Sequence, residues 1–144
     1  YVAGSDWIDL NGIKSPKYDI RYLESINGYT WADNGEVVLP LTKEDEYAFG
    51  RPAILKREND IYRMFYSIRR RSLAAYRMGY AESSNGKEWV RKDEELNLNP
   101  TLESFDSEAI MYGCPFEING ELYLFYNGNN FGEKGFAIAT LSKE

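Results

Sequence analysis

Histidine is absent from this chain of 144 residues, and cysteine occurs once, at Cys114. The first absence excludes Ser-His-Asp and Cys-His nucleophilic catalysis and every histidine-based metal site. Any acid–base chemistry must fall to carboxylates, tyrosines, lysines or the lone thiol. The second absence excludes an internal disulfide and is compatible with a reducing compartment. No signal peptide is visible, so a cytoplasmic location is the expectation. No apolar run approaches the roughly 18 residues a membrane helix needs, so no membrane partner is expected. Helical patterns with caps are missing too. The chain opens on Tyr1 rather than Met, which reads as a preceding segment that was removed or is not included.

The residues that are present favour strands. Hydrophobic residues make up 43% of the chain and aromatics 15%, with 12 tyrosines set in short β-rich runs. The net charge is −6, spread along the chain. Such a surface repels phosphate backbones, so nucleic acid is not an expected partner. The length allows one domain or a piece of a larger one.

The chain repeats itself. Glu24–Trp31 reads ESINGYTW and Glu82–Trp89 reads ESSNGKEW. Each copy follows a strand pattern, Tyr18–Ser25 and Tyr76–Ser83, and each contains Asn-Gly, a strong hairpin signal. Lys87–Asp93 and Tyr29–Leu39 are then the returning strands. More of the unit recurs: Arg51–Ser67 aligns with Cys114–Gly128, each with a Pro, an apolar strand, a polar turn and a strand ending in Phe-Tyr. Gly135–Ser142 matches the strand before the second Asn-Gly, and Tyr1–Trp7 resembles the tail of a Phe-Tyr strand. A four-stranded antiparallel meander of about 60 residues is a propeller blade. The competing reading is a β-sandwich with two chance-similar hairpins. The expected fold is therefore all-β, an incomplete propeller of about two and a half blades. Residues 1–40 form a half blade, 41–102 a full blade and 103–144 three strands of a further blade. Closed propellers need about four to eight blades, so missing N-terminal blades or a homodimer would complete the ring.

The stretches Ile61–Asp93 and Phe105–Leu141 resemble the five-bladed propellers of the glycoside-hydrolase clan that holds arabinanases, levanases and invertases. The nearest similarity is to an uncharacterised, glycosidase-like group associated with polysaccharide pathways. It rests on Glu46, Arg51-Pro52, Tyr62–Ser67, Tyr76–Ser83, Asp106-Ser107-Glu108 and Tyr126–Asn129. The resemblance implies an axial pocket lined by the innermost strand of each blade and a carbohydrate partner. No acidic cluster has EF-hand spacing, so no cofactor or metal is expected from the residues, with an axial calcium left open. Glycoside hydrolysis takes two carboxyl groups, one protonated and one ionised. Glu108 is the first candidate acid, with Asp106 beside it and Asp45 and Glu46 in the other segment that leads into an inner strand. Each is otherwise a solvated or structural carboxylate. The clan's better-known members carry an Asp and a Glu in the triplets that here read Gly50-Arg51-Pro52 and Gly113-Cys114-Pro115. The standard carboxylate set is not assembled, which leaves a non-catalytic carbohydrate-binding or scaffold role beside the enzymatic one. Arg51 presents a rigid fork of donors for a sugar carboxylate, a phosphate or one of these acids. Arg69, Tyr112, Asn127 and Asn129 complete the candidate substrate contacts. Trp31 and Trp89 belong to the repeat and are expected in the blade core.

Overall fold

The computed structural model describes residues 1–56 and 60–140, apart from the side chain of Ser5. The polar turn expected between the strands of Arg51–Ser67, and the last residues of the strand expected at Gly135–Ser142, fall partly outside the described residues.

Among the described residues, ten strands build three consecutive antiparallel meanders. The first holds β1 (Val2–Leu10), β2 (Ile13–Tyr22) and β3 (Glu36–Leu39). It thus has three strands within residues 1–40. The second holds β4 (Glu46–Lys56), β5 (Tyr62–Arg70), β6 (Leu73–Ser83) and β7 (Val90–Arg91), in that spatial order. The third holds β8 (Met111–Ile118), β9 (Glu121–Asn127) and β10 (Phe136–Thr140). One parallel bridge, Tyr18 to Ala48, ties the first blade to the second. Together these blades form an open arc of a propeller.

Strand periodicity explains the stacking. Along β5, Met64, Tyr66 and Ile68 enter a core shared with Ile20 and Leu39 of the first blade. Phe65, one residue out of phase, enters the opposite core with Ile110, Leu122, Leu124 and Tyr126 of the third. The middle blade is therefore apolar on both faces, and Met64–Ile68 is one continuous buried run. Gly79 allows this closeness, because a Cβ there would collide with the Tyr66 ring.

The turns differ from the sequence expectation. Two-residue hairpins with both φ positive occur at Asn11-Gly12 (56° and 85°) and Asn119-Gly120 (53° and 78°). The repeated Asn-Gly pairs instead sit in longer loops, and only Val90–Arg91 and Glu36–Leu39 return as strands. The two loops are chemical copies. Ser25 and Ser83 Oγ each accept the N–H of Gly28 and Gly86 at 2.9 Å. Asn27 and Asn85 Oδ1 each accept two backbone N–H groups, two and three residues further on, at 2.9 Å. Trp31 and Trp89 Nε1 each donate to the preceding Gly carbonyl at 3.1 Å. The repeat thus encodes a loop capped by its own side chains. Trp89 packs half-buried on the first core, as a blade-core residue should. Trp31 does not: it is 52% exposed, because its loop sits at the edge of the first blade, whereas the matching loop of the second blade packs on the core shared with the first.

The middle blade is locked at its start. Glu46 opens β4 with its side chain fully buried. Arg91 on β7 grips both carboxylate oxygens, at 2.8 and 2.9 Å. The same guanidinium binds Asp93, the Tyr66 hydroxyl at 3.0 Å and Thr42 Oγ1 at 3.1 Å. Removing one partner of such a buried pair strands the other charge. Arg91→Ala is expected to cost about 3–5 kcal/mol of unfolding free energy, measured as a lowered urea midpoint with the slope unchanged.

Candidate functional site

The seam between the second and third blades carries the candidate site. The chain entering β8 is docked along the second blade by three hydrogen bonds. Arg77 Nη1 donates to the Glu108 carbonyl at 2.6 Å, Ile110 N–H to the Tyr76 carbonyl at 3.2 Å, and Tyr112 N–H to the buried Ser67 Oγ at 2.9 Å. A Cβ on Gly113 would meet the flexible end of Met78, so glycine lets that side chain pack close against β8.

Docking gathers a cluster of rings and arginines. Tyr76 lies 5.6 Å from Tyr112 between ring centroids, and Phe131 lies 6.1 Å from both. The Arg51 guanidinium sits 5.0 Å over the Tyr112 ring. Arg69 sits 5.1 Å over Tyr47 and 5.3 Å over Tyr76. Each cation–π contact is worth about 0.5–1 kcal/mol where exposed. Phe131 is 64% exposed, a large apolar ring offered to solvent beside two cations.

Three members have a left-handed backbone without being glycine: Arg51 (φ 48°), Tyr112 (φ 60°) and Phe131 (φ 59°). Arg51 and Tyr112 lie within bulges of β4 and β8. Such conformations cost on the order of 1–3 kcal/mol each and concentrate at functional sites. Burial, then a hydrogen bond with Tyr76, pushes the Tyr112 hydroxyl up to about 12, against the pull of Arg51 and Arg69. Burial also raises Tyr47, and Arg69 opposes it.

Of the residues nominated from sequence, Arg51, Arg69 and Tyr112 meet in this cluster. Asn129 stands behind it: Oδ1 accepts the N–H groups of Glu108 and Ala109 at 2.8 and 2.9 Å, and Nδ2 donates to Ser107 Oγ at 3.1 Å. Asn127 Nδ2 donates to the Phe131 carbonyl at 3.2 Å, fixing that strained turn. The four carboxylates do not share a location. Asp45 caps the β5–β6 turn through Ser72 N–H (2.8 Å) and Oγ (2.5 Å), and these bonds hold its carboxyl below the usual range. Glu46 belongs to Arg91. Asp106 is fully buried; its Oδ2 accepts from Tyr126 at 3.0 Å, whose hydroxyl is pushed up to about 12 by burial and by this bond. Glu108 is exposed, and its backbone is clamped by Asn129 and Arg77. Among the described residues, no three Cys, Asp or Glu side chains converge to hold a metal. Sequence reasoning passed over Tyr47, Tyr76 and Phe131. Tyr47 flanks the inner strand and Tyr76 heads the repeated one, but the left-handed turn at Phe131 leaves no sequence signal.

No family model matches the chain. It is 34% identical over 124 residues to the uncharacterized proteins MT1551 and Rv1502 of two Mycobacterium tuberculosis strains. That match covers 85% of this chain, which spans only 40% of the length of either curated relative. Among solved structures it superposes on a glycoside hydrolase with a TM-score of 0.67 at 23% identity, covering 100% of this chain and 40% of that one. A complex of BT0996 with RGII gives the same score and identity over 99% of this chain and 40% of the matched one. The endo-arabinase of Bacteroides thetaiotaomicron VPI-5482 gives 0.54 at 16% identity, over 91% of this chain and 46% of that one. The fold is that of the propeller glycoside hydrolases, present here as an arc. No helix among the described residues is long and apolar enough to cross a membrane.

Two outcomes follow from the cluster. Glycine adopts a positive φ freely, so Arg51→Gly is expected to leave Tm unchanged or raise it in a thermal scan, although a cation–π contact is lost. The raised tyrosines give an alkaline limit. An unfolded tyrosine titrates near about 10, whereas Tyr112 and Tyr126 titrate near about 12. Their contribution is complete below the unfolded value and is lost as pH rises through the folded one. Urea midpoints should therefore fall between pH about 10 and about 12, and less steeply in Tyr126→Phe.

Proposed function

We propose that this chain is the glycan-recognising part of a glycosidase-like propeller, holding a sugar against Tyr76, Tyr112 and Phe131 between Arg51 and Arg69. The observation that carries this reading is the cluster of two half-buried tyrosines and the exposed Phe131, flanked by two cations and built on strained backbone. Flat rings suit the apolar face of a sugar, and guanidinium forks suit its hydroxyl and carboxyl oxygens. The likeness to a glycoside hydrolase, an RGII complex and an endo-arabinase supports a carbohydrate ligand. The open arc leaves the rest of the pocket wall to further blades or to a second copy. The lone exposed Cys114 suits a reducing, cytoplasmic setting.

Recognition without hydrolysis is the favoured reading, because Asp45, Glu46 and Asp106 are each committed to structural partners. Hydrolysis is the second reading. Glu108 favours it, as an exposed carboxylate on a clamped backbone that could act as acid if a second carboxyl came from outside these residues.

Titration calorimetry with RGII-derived and arabinan-derived oligosaccharides separates the two. Saturable binding, weakened about tenfold or more in Tyr112→Ala, is expected, with no turnover of activated glycosides. Turnover abolished in Glu108→Gln, with binding intact, would establish the hydrolase instead. No binding of any oligosaccharide sinks both.

A further inference from the structure

A second concavity lies beside the β5–β6 hairpin. It is about 230 Å³ in volume, between the ends of those strands and the turn Asp93–Leu96 with the residues after it. Arg70, Arg77, Asn97 and Asn99 are among the residues that line it. Asp93 and Glu94 also line it. The charges do not cancel. Asp93 is spent on Arg91, the Tyr66 hydroxyl and the Tyr80 N–H. Glu94 is paired at 3.7 Å with Lys43 and is almost fully exposed. Arg91, Glu46 and Asp93 together carry one negative charge, and Arg70 offsets it from 3.9 Å. Arg77 is the remainder. Its Nη1 donates only to the carbonyls of Tyr76 and Glu108, at 3.0 and 2.6 Å, and no carboxylate pairs with it among the described residues. Burial, and then the nearby charge of Arg70, pull its guanidinium below the ordinary arginine value. The two asparagines of the lining are linked: Asn99 donates to Asn97 Oδ1 at 3.3 Å, and Asn97 is held in a left-handed conformation (φ 45°).

Arg70 and Arg77 line one cavity, and with Arg70 offset by the Glu46–Arg91–Asp93 group the pair lacks one negative charge. We propose that this cavity is a binding site for a small oxyanion, the carboxylate or phosphate group of a sugar acid or sugar phosphate, held by Arg70 and Arg77 with Asn97 and Asn99. An arginine fork takes an oxyanion through two charge-assisted bonds, which are roughly twice as strong as neutral ones. The partly enclosed wall limits screening. The site does not rest on the ring-cluster reading, because none of its four residues belongs to that cluster.

Calorimetry of the whole chain with inorganic phosphate, glucuronate, a hexose phosphate and glucose tests it. Phosphate and at least one sugar anion should bind saturably, more weakly as salt is raised. Arg77→Gln should weaken them about tenfold, with partial recovery in Arg77→Lys. Arg77 also supports the Glu108 carbonyl, so a second variant keeps the test independent of folding. Asn99→Leu, at an exposed position, should weaken anion binding in a folded protein. Tyr112→Ala should leave it unaltered, which separates this site from the ring cluster. Preference for the uronate or for the phosphates assigns the source of the anion, and either upholds the site. The proposal is overturned if no anion gives saturable heat, if glucose binds as well as glucuronate, or if Asn99→Leu and whichever Arg77 variants fold all bind normally.

Discussion

The middle blade depends on one guanidinium. Arg91 reaches from the shortest strand of the sheet to the first residue of the inner strand, and oxygens from Glu46, Asp93, Tyr66 and Thr42 converge on it. Without it, β7 would be a two-residue edge with little to hold it. With it, β4, β5 and β7 are fixed relative to one another at one end. The ring of Phe49 packs 5.0 Å below the same group, and Tyr66 pairs edge-on with Phe49 at 5.0 Å. The polar lock is thus set into the apolar core rather than beside it. That placement makes the network costly to break and gives the blade a defined register.

From this fixed blade the seam follows. Ser67, Tyr76 and Arg77 lie at the same end of β5 and β6, and each supplies one hydrogen bond to the chain entering β8. The third blade is therefore registered on the second by polar groups at the rim and by Phe65, Met78 and Tyr80 in the core. The strained residues lie where the two blades meet. Arg51 and Tyr112 come from bulges on successive inner strands, and they touch. A bulge re-aims a side chain out of the sheet's alternation, which is how two strands of different blades come to present side chains to one another.

The blade repeat is legible in the sequence because its chemistry is local. Ser, Asn, Gly and Trp within seven positions cap one another, so the motif can be read without knowing its neighbours. The turn is harder to read for the same reason: the Asn-Gly of the repeat belongs to a longer loop, while the true two-residue turns at Asn11-Gly12 and Asn119-Gly120 lie outside the repeated stretch. Non-local pairing is not legible. Glu46 stands in a charge run, and its partner Arg91 lies 45 positions away. Asp106 has the sequence setting of a site acid, and only packing reveals that it lies beneath Tyr126. Arg51 and Tyr112 can be nominated because they sit by the Pro of an inner strand, and Arg69 because of the resemblance. Tyr47 lies near an inner strand and Tyr76 heads the repeated one, but tyrosine is too common in this chain for position alone to single them out.

The distribution of charge argues for how the molecule divides its work. A chain with a net charge of −6 places at least four arginines, Arg51, Arg69, Arg70 and Arg77, along one end of two neighbouring strands and the bulge beside them. Of these, Arg51 and Arg69 lean on aromatic faces, Arg70 reaches only a carboxylate already claimed, and Arg77 faces carbonyls. The candidate acids Asp45, Glu46 and Asp106, by contrast, are consumed in a turn, the Arg91 lock and the buried contact with Tyr126. A hydrolytic site would reverse this allotment, keeping two carboxylates free and near each other. Here four arginines stay at the rim while three of the four candidate acids do structural work and Glu108 alone is exposed, an allotment that supports the binding reading proposed above.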